Sequence, residues 1–88
     1  MIPPKLEENN CSVIIAELST GQVYKTNLGL FLEGDEEEMA YQTFVTFEEA
    51  KKYALSFVSS NPRFECAIYN SNGDAVVTFT SAGERKYL

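Results

Sequence analysis

Apolar residues fall in short blocks separated by turn-forming ones, and their period changes twice along the chain, from strand to helix and back. "CSVIIAEL" (residues 11–18) is β-branched and apolar at both parities, which predicts a strand central to a sheet. "STGQ" follows as a hairpin turn, with Gly21 free to take positive φ. "VYKTNLGLFL" (23–32) predicts the return strand, with Gly29 as a bulge or kink. "MAYQTFV" predicts a third strand. The period then shifts: Phe47, Ala50, Ala54, Phe57 and Val58 recur at helical spacing and define one buried face. Thr46 followed by Glu49 is a capping box at the start of this helix. "SSNP" ends it, because Pro62 disfavours helical backbone at Asn61. "RFECAIYNSNGDAVVTFTS" reads as a hairpin turning at Asn72–Gly73. A two-residue loop there sets Cys66 opposite Phe79, Ile68 opposite Val77 and Tyr69 opposite Val76, which separates an apolar face from a mixed one.

These elements assemble as β-β-β-α-β-β. The expected fold class is α+β, an antiparallel sheet of four to five strands with one helix packed on one face. Residues 1–10 are expected to form a flexible N-terminal arm and residues 11–88 a single domain. At 88 residues, with 44% hydrophobic and 23% charged, the chain can bury a modest core. The N-terminus "MIPPKLEENN" has no apolar run of the kind an export signal or a membrane span needs, so a cytoplasmic location is expected. In that compartment Cys11 and Cys66 are expected to be reduced, buried thiols.

Charge narrows the chemistry. The formal net charge is −6, and the stretch "EGDEEEM" holds five of the acids: Glu33, Asp35, Glu36, Glu37 and Glu38. The rest of the chain is close to neutral. Nucleic acid and anionic membrane are therefore not expected partners, since both need a positive surface. The chain has no histidine, which removes Ser-His-Asp, Cys-His and HExxH arrangements and leaves too few soft ligands for zinc. No phosphate-binding glycine loop is present. No enzyme activity, cofactor or metal site is expected.

The acidic stretch admits three readings: a solvated connection between strands, a surface that steers a basic protein partner, or a weak cation site. The acids are contiguous rather than at alternate positions, so they do not match an EF-hand loop. The second candidate surface is the face of the sheet away from the helix. One helix of roughly 20 Å cannot cover both sides of a five-stranded sheet. Tyr24, Tyr41, Tyr69, Ala67, Val76 and Thr78 are expected on that open face. Tyrosine suits a surface that is sometimes wet and sometimes buried, so homodimerisation or partner docking is a natural use.

The run "FVTFEEAKKYA" followed by "FECAIYNSNGDAVV" resembles a pattern in small bacterial proteins, in which a strand enters a capped helix and a hairpin follows. Some of these are immunity proteins that neutralise a cognate toxin, and others have no assigned role. The resemblance spans roughly residues 41–79 and transfers no functional residue. The expected function is a small non-enzymatic module that binds another protein through the acidic stretch, the open sheet face or both, an immunity-type inhibitor being its sharper form; the alternatives are a homo-oligomer of structural or regulatory role built on the tyrosine face and a weak metal-binding protein.

Overall fold

A computed structural model describes residues 10–32, 34–36 and 40–86. The predicted arm therefore lies outside the described residues except for Asn10. The elements are β1 (Cys11–Glu17), β2 (Val23–Tyr24), β3 (Tyr41–Phe44), α1 (Phe47–Ser60), β4 (Phe64–Tyr69), β5 (Ala75–Thr80) and β6 (Gly83–Lys86). The fold is α+β, with one antiparallel sheet and the helix packed on one of its faces.

The helix starts and stops for the expected reasons. Thr46 has extended backbone and its Oγ1 accepts a hydrogen bond from the Glu49 amide at 3.2 Å. Glu48 and Glu49 sit in the positive first turn. Asn61 closes the other end by donating from its amide and its side chain to the Phe57 carbonyl. Ala50, Ala54 and Val58 are buried against the sheet. The two alanines let the helix axis approach the strands closely. The core is filled from the strands by Cys11, Val13, Ile15, Cys66, Ile68, Val77 and Phe79. Full burial of a side chain the size of Ile15 or Ile68 stabilises by about 2 kcal/mol.

The strand order is β2-β1-β4-β5-β6, with β3 also paired to β1. β1 uses one edge for β4, from Ser12 opposite Tyr69 to Glu17 opposite Phe64. Its other edge is shared. β2 occupies the end near Ile15 and Ala16, and β3 occupies the end from Cys11 to Ile14. Tyr24 lies opposite Ile15 and Tyr41 opposite Ile14, on adjacent rungs. β2 and β3 are thus two halves of one edge strand, interrupted by an excursion over residues 25–40.

This corrects the expected return strand over 23–32, of which only Val23–Tyr24 joins β1. Lys25 instead turns back. Its amide donates to the Gly29 carbonyl at 2.7 Å, and the Phe31 amide donates to Val23 at 3.1 Å. Leu30 bridges to Tyr24 on the outer side of β2. β6 was not expected from the sequence. It adds to β5 through Thr80 opposite Gly83 and Val77 opposite Lys86.

The β4–β5 hairpin keeps the expected register at Cys66, Ala67 and Ile68, then shifts. Tyr69 lies opposite Ala75, not Val76. The Asn70 amide donates to the Asp74 carbonyl and the Gly73 amide to the Asn70 carbonyl, with Gly73 at φ 85. The loop therefore has three residues, and the extra residue on β5 releases Val76 from the tyrosine face.

Candidate functional site

The two candidate surfaces differ in what the fold makes of them. The face of the sheet away from α1 carries Ser12 and Ile14 from β1, Tyr41 from β3, Ala67 and Tyr69 from β4, and Thr78 from β5. Its centre is buried: Ser12 is 0% exposed, Thr78 2% and Ile14 6%. Tyr41 and Tyr69 are half-buried at its margins. Among the described residues, the buried Ser12 hydroxyl has no hydrogen-bond partner. An open, wet tyrosine face is thus not what the strands present at their centre.

Two residues expected on that face lie on the other. Val76 packs against the helix-side core. Tyr24, on the rung of Ile15, also faces the helix side, where its ring meets Phe64 edge-on at 4.9 Å between centroids. From there a row of rings follows the seam between α1 and the split edge strand. Phe64 meets Phe57 at 5.8 Å, Phe57 meets Tyr53 at 6.1 Å, and Tyr53 meets Phe44 at 5.2 Å. Arg63 lies over the Phe64 ring at 4.6 Å, reaches the Tyr24 hydroxyl at 3.4 Å and pairs with Glu17 at 3.6 Å. The tyrosine that looked like contact surface is an anchor for the edge strand. Burial raises the Tyr53 hydroxyl in this row above its usual range.

The excursion is the other surface. Asp35 is a structural member of it. Its carboxylate accepts the Leu32 amide at 2.8 Å and lies 3.5 Å from the Lys25 ammonium. The Leu32 amide, and then Lys25, hold this carboxyl below the usual range. Asp35 therefore ties the far side of the excursion to its root. Glu36 is exposed, while Glu33, Glu37 and Glu38 lie outside the described residues.

Sequence reasoning passed over the leucines. Leu28, Leu30 and Leu32 are 42%, 46% and 58% exposed, at alternate positions directly before the acids. Leu28 has φ 68, and is the only non-glycine among the described residues with positive φ. Its turn repeats the hydrogen bonds of the β4–β5 hairpin. The Leu28 amide donates to Lys25 and the Lys25 amide to Gly29, as Gly73 does to Asn70 and Asn70 to Asp74. An Asn side chain reaches the last amide of each turn, from different positions: Asn27 Oδ1 accepts the Gly29 amide from within the loop, and Asn70 Oδ1 accepts the Asp74 amide from the first residue of the turn. One turn places glycine at the left-handed position and the other places an exposed leucine there. A side chain in that conformation costs about 1 kcal/mol or more. The signal available in the sequence was "NLG" beside "LFLEGDEEE".

Two open hollows lie on the surface among the described residues. One, of about 250 Å³, lies by Leu18, Glu65, Thr80 and Gly83. The other, of about 270 Å³, lies between α1 and β6, lined by Lys51, Leu55, Phe79, Gly83 and Glu84. Among the described residues no group of three or more acidic, cysteine or histidine side chains converges to hold a metal. No helix among them is long and apolar enough to cross a membrane. Compared with family models, curated proteins and solved structures, this chain matches none of them.

Proposed function

We propose that this chain is a small non-enzymatic module that binds another protein through the excursion at residues 25–40. The observation that carries the reading is Leu28, an exposed apolar side chain kept at a backbone position where the chain's own parallel turn uses glycine. Stability does not account for it, which supports a role in contact with a partner. Leu30 and Leu32 extend the apolar row. Glu36 is exposed, and in the sequence the acids of "EGDEEEM" follow the row directly. The partner that fits is apolar where the leucines land and basic around them. An immunity-type inhibitor, covering a basic site on a toxin in the cytoplasm, is one form of this reading.

The experiment is capture of a binding protein by the wild type and by three variants: Leu28→Gly, Leu30→Asp, and Glu36→Lys with Glu37→Lys and Glu38→Lys. A protein held by the wild type, lost by the leucine variants and released by salt supports the excursion as the contact. Equal capture by all four removes it.

A further inference from the structure

We infer that the excursion receives its partner as an added β-strand: an extended segment of another protein pairs with the backbone of Leu30 and lays apolar side chains against Leu28, Leu30 and Leu32. This rests on the excursion being the contact surface, as proposed above, and names the kind of partner it takes.

The hydrogen bonds beside Leu30 fix which way its backbone points. Leu30 bridges Tyr24 in the antiparallel sense. The flanking bonds run from the Lys25 amide to the Gly29 carbonyl at 2.7 Å and from the Phe31 amide to the Val23 carbonyl at 3.1 Å. Bonds on both sides of a bridge mark it as the non-hydrogen-bonded pair of an antiparallel ladder. The Gly29 carbonyl and the Phe31 amide thus point in toward β2, and the amide and carbonyl of Leu30 point out, away from it. Residues 29–31 form one more, very short edge beyond β2. Among the described residues neither of these Leu30 groups has a hydrogen-bond partner.

The positions on either side are closed. The Leu32 amide bonds the Asp35 carboxylate at 2.8 Å, and the Leu32 carbonyl accepts the Asp35 amide at 3.0 Å. The Leu28 amide donates to the Lys25 carbonyl at 2.9 Å. Leu30 is left as one open donor and acceptor in the middle of three exposed leucines. An extended backbone meets such a pair with both of its own groups. A helix does not, because its interior amides and carbonyls bond one another. The incoming residue lies beside Leu30, and the residues two positions away on the same face reach toward Leu28 and Leu32. Apolar residues at alternate positions fit that row. Sheet edges with no partner are ordinarily guarded by proline or charge, and "LGLFL" at 28–32 has neither. A second copy of this chain fits less well, since two chains of net charge −6 repel each other.

The probe is a phage-displayed library of random peptides of about twelve residues, selected on the full chain, with the strongest peptide then made by synthesis. Leu30→Pro removes the outward amide. The inward bonds belong to Gly29 and Phe31 and are kept, and an edge position whose amide faces solvent is where a strand accepts proline. Leu30→Ala keeps the amide and shortens the side chain. Circular dichroism checks that each variant is folded. The selected peptides are expected to alternate apolar residues, and the strongest to bind Leu30→Pro about ten-fold more weakly than Leu30→Ala. Saturating peptide is expected to slow hydrogen exchange at the wild-type Leu30 amide by about ten-fold or more. The exchange measurement needs no variant, so it decides the outcome even if Leu30→Pro does not fold. Failure to select any peptide overturns strand addition, as does a peptide that leaves exchange at Leu30 unchanged. A peptide weakened by Leu30→Asp but bound equally by Leu30→Pro and Leu30→Ala overturns backbone pairing and leaves the excursion standing as the contact. Binding untouched by all three substitutions removes the excursion itself. A wild type that doubles its mass as concentration rises, with the Leu30 amide protected in the process, overturns the choice of a different protein in favour of a second copy.

Discussion

Tyr24 and Tyr41 occupy adjacent rungs against β1, opposite Ile15 and Ile14, although residues 25–40 lie between them in the chain. The parity is continuous: Tyr24 points to the helix side and Tyr41 to the other, as successive residues of one strand must. Joining Tyr24 directly to Tyr41 should therefore give an uninterrupted edge strand. The spliced protein is expected to unfold cooperatively, with a melting temperature within about 10 °C of the wild type. It should lose every interaction carried by the excursion. The loss of buried Ala40 and of the Lys25–Asp35 tie sets the direction of the change downward. Thermal unfolding by circular dichroism decides it, and a molten product would mean that the excursion is part of the core.

The parallel between Leu28 and Gly73 makes a second expectation. Leu28→Gly should raise stability by about 0.5–1 kcal/mol, relief of the left-handed leucine outweighing the added chain entropy. Leu28→Ala keeps a Cβ in the same conformation and should give no such gain. Urea midpoints for the three proteins check this. A variant more stable than the wild type yet poorer at binding would separate the leucine's two roles in one residue.

Ser12 is the buried polar group without a partner among the described residues. Ser12→Ala should stabilise the fold by roughly 1 kcal/mol, because the desolvated hydroxyl returns no hydrogen bond. A loss of stability on this substitution, read from the same denaturation curves, would reveal a hydrogen bond to the Ser12 hydroxyl in solution.

Burial, and to a smaller degree the Glu65 carboxylate, push the Cys66 thiol up to about 12 from an ordinary value of 9.0. The folded protein holds this proton more tightly than the unfolded chain does. Stability is thus fully present below pH 9 and falls as pH rises from there toward 12, by up to about 1.4 kcal/mol per pH unit from this group. Tyr53 and Cys11, also raised by burial, act in the same direction. Alkaline titration of the melting temperature should show the decline. A thiol reagent at pH 8 should label Cys66 only after denaturant is added.

The helix was legible to the residue because capping is local: Thr46 and Glu49 bond across one turn, and Asn61–Pro62 stops the backbone chemically. The hairpin register was legible up to Ile68, where alternation of apolar residues dictates it. Beyond that point Asn72–Gly73 is compatible with a two- or three-residue loop, and the longer one displaced Val76. "VYKTNLGLFL" alternates well enough to be a strand, but the edge of β1 below Ile15 is filled by Tyr41–Phe44 instead. That choice depends on pairing between distant segments, which periodicity does not encode. β6, "GERK", has no β-branched residue and joins the sheet through backbone pairing with β5. The leucine row was hidden for a related reason: once a segment is assigned to a strand, its apolar residues look like core.

The position of β1 has a consequence for how the chain becomes a protein. β1 precedes the other described elements in the chain, yet the edge it gives to β4 runs from Ser12 opposite Tyr69 to Glu17 opposite Phe64. That pairing closes a loop holding the whole of β2, β3 and α1, so it is entropically late. α1 and the β4–β5 hairpin are contiguous and can form by local contacts alone. Strand β1 can pair locally with β2, but its β4 edge must wait until β4 has been made, and β1 then takes its place between the β4–β5 hairpin and its own edge strand. A pulse-labelled hydrogen-exchange experiment should find protection at Ile68 and Val77 before it appears at Val13 and Ile15.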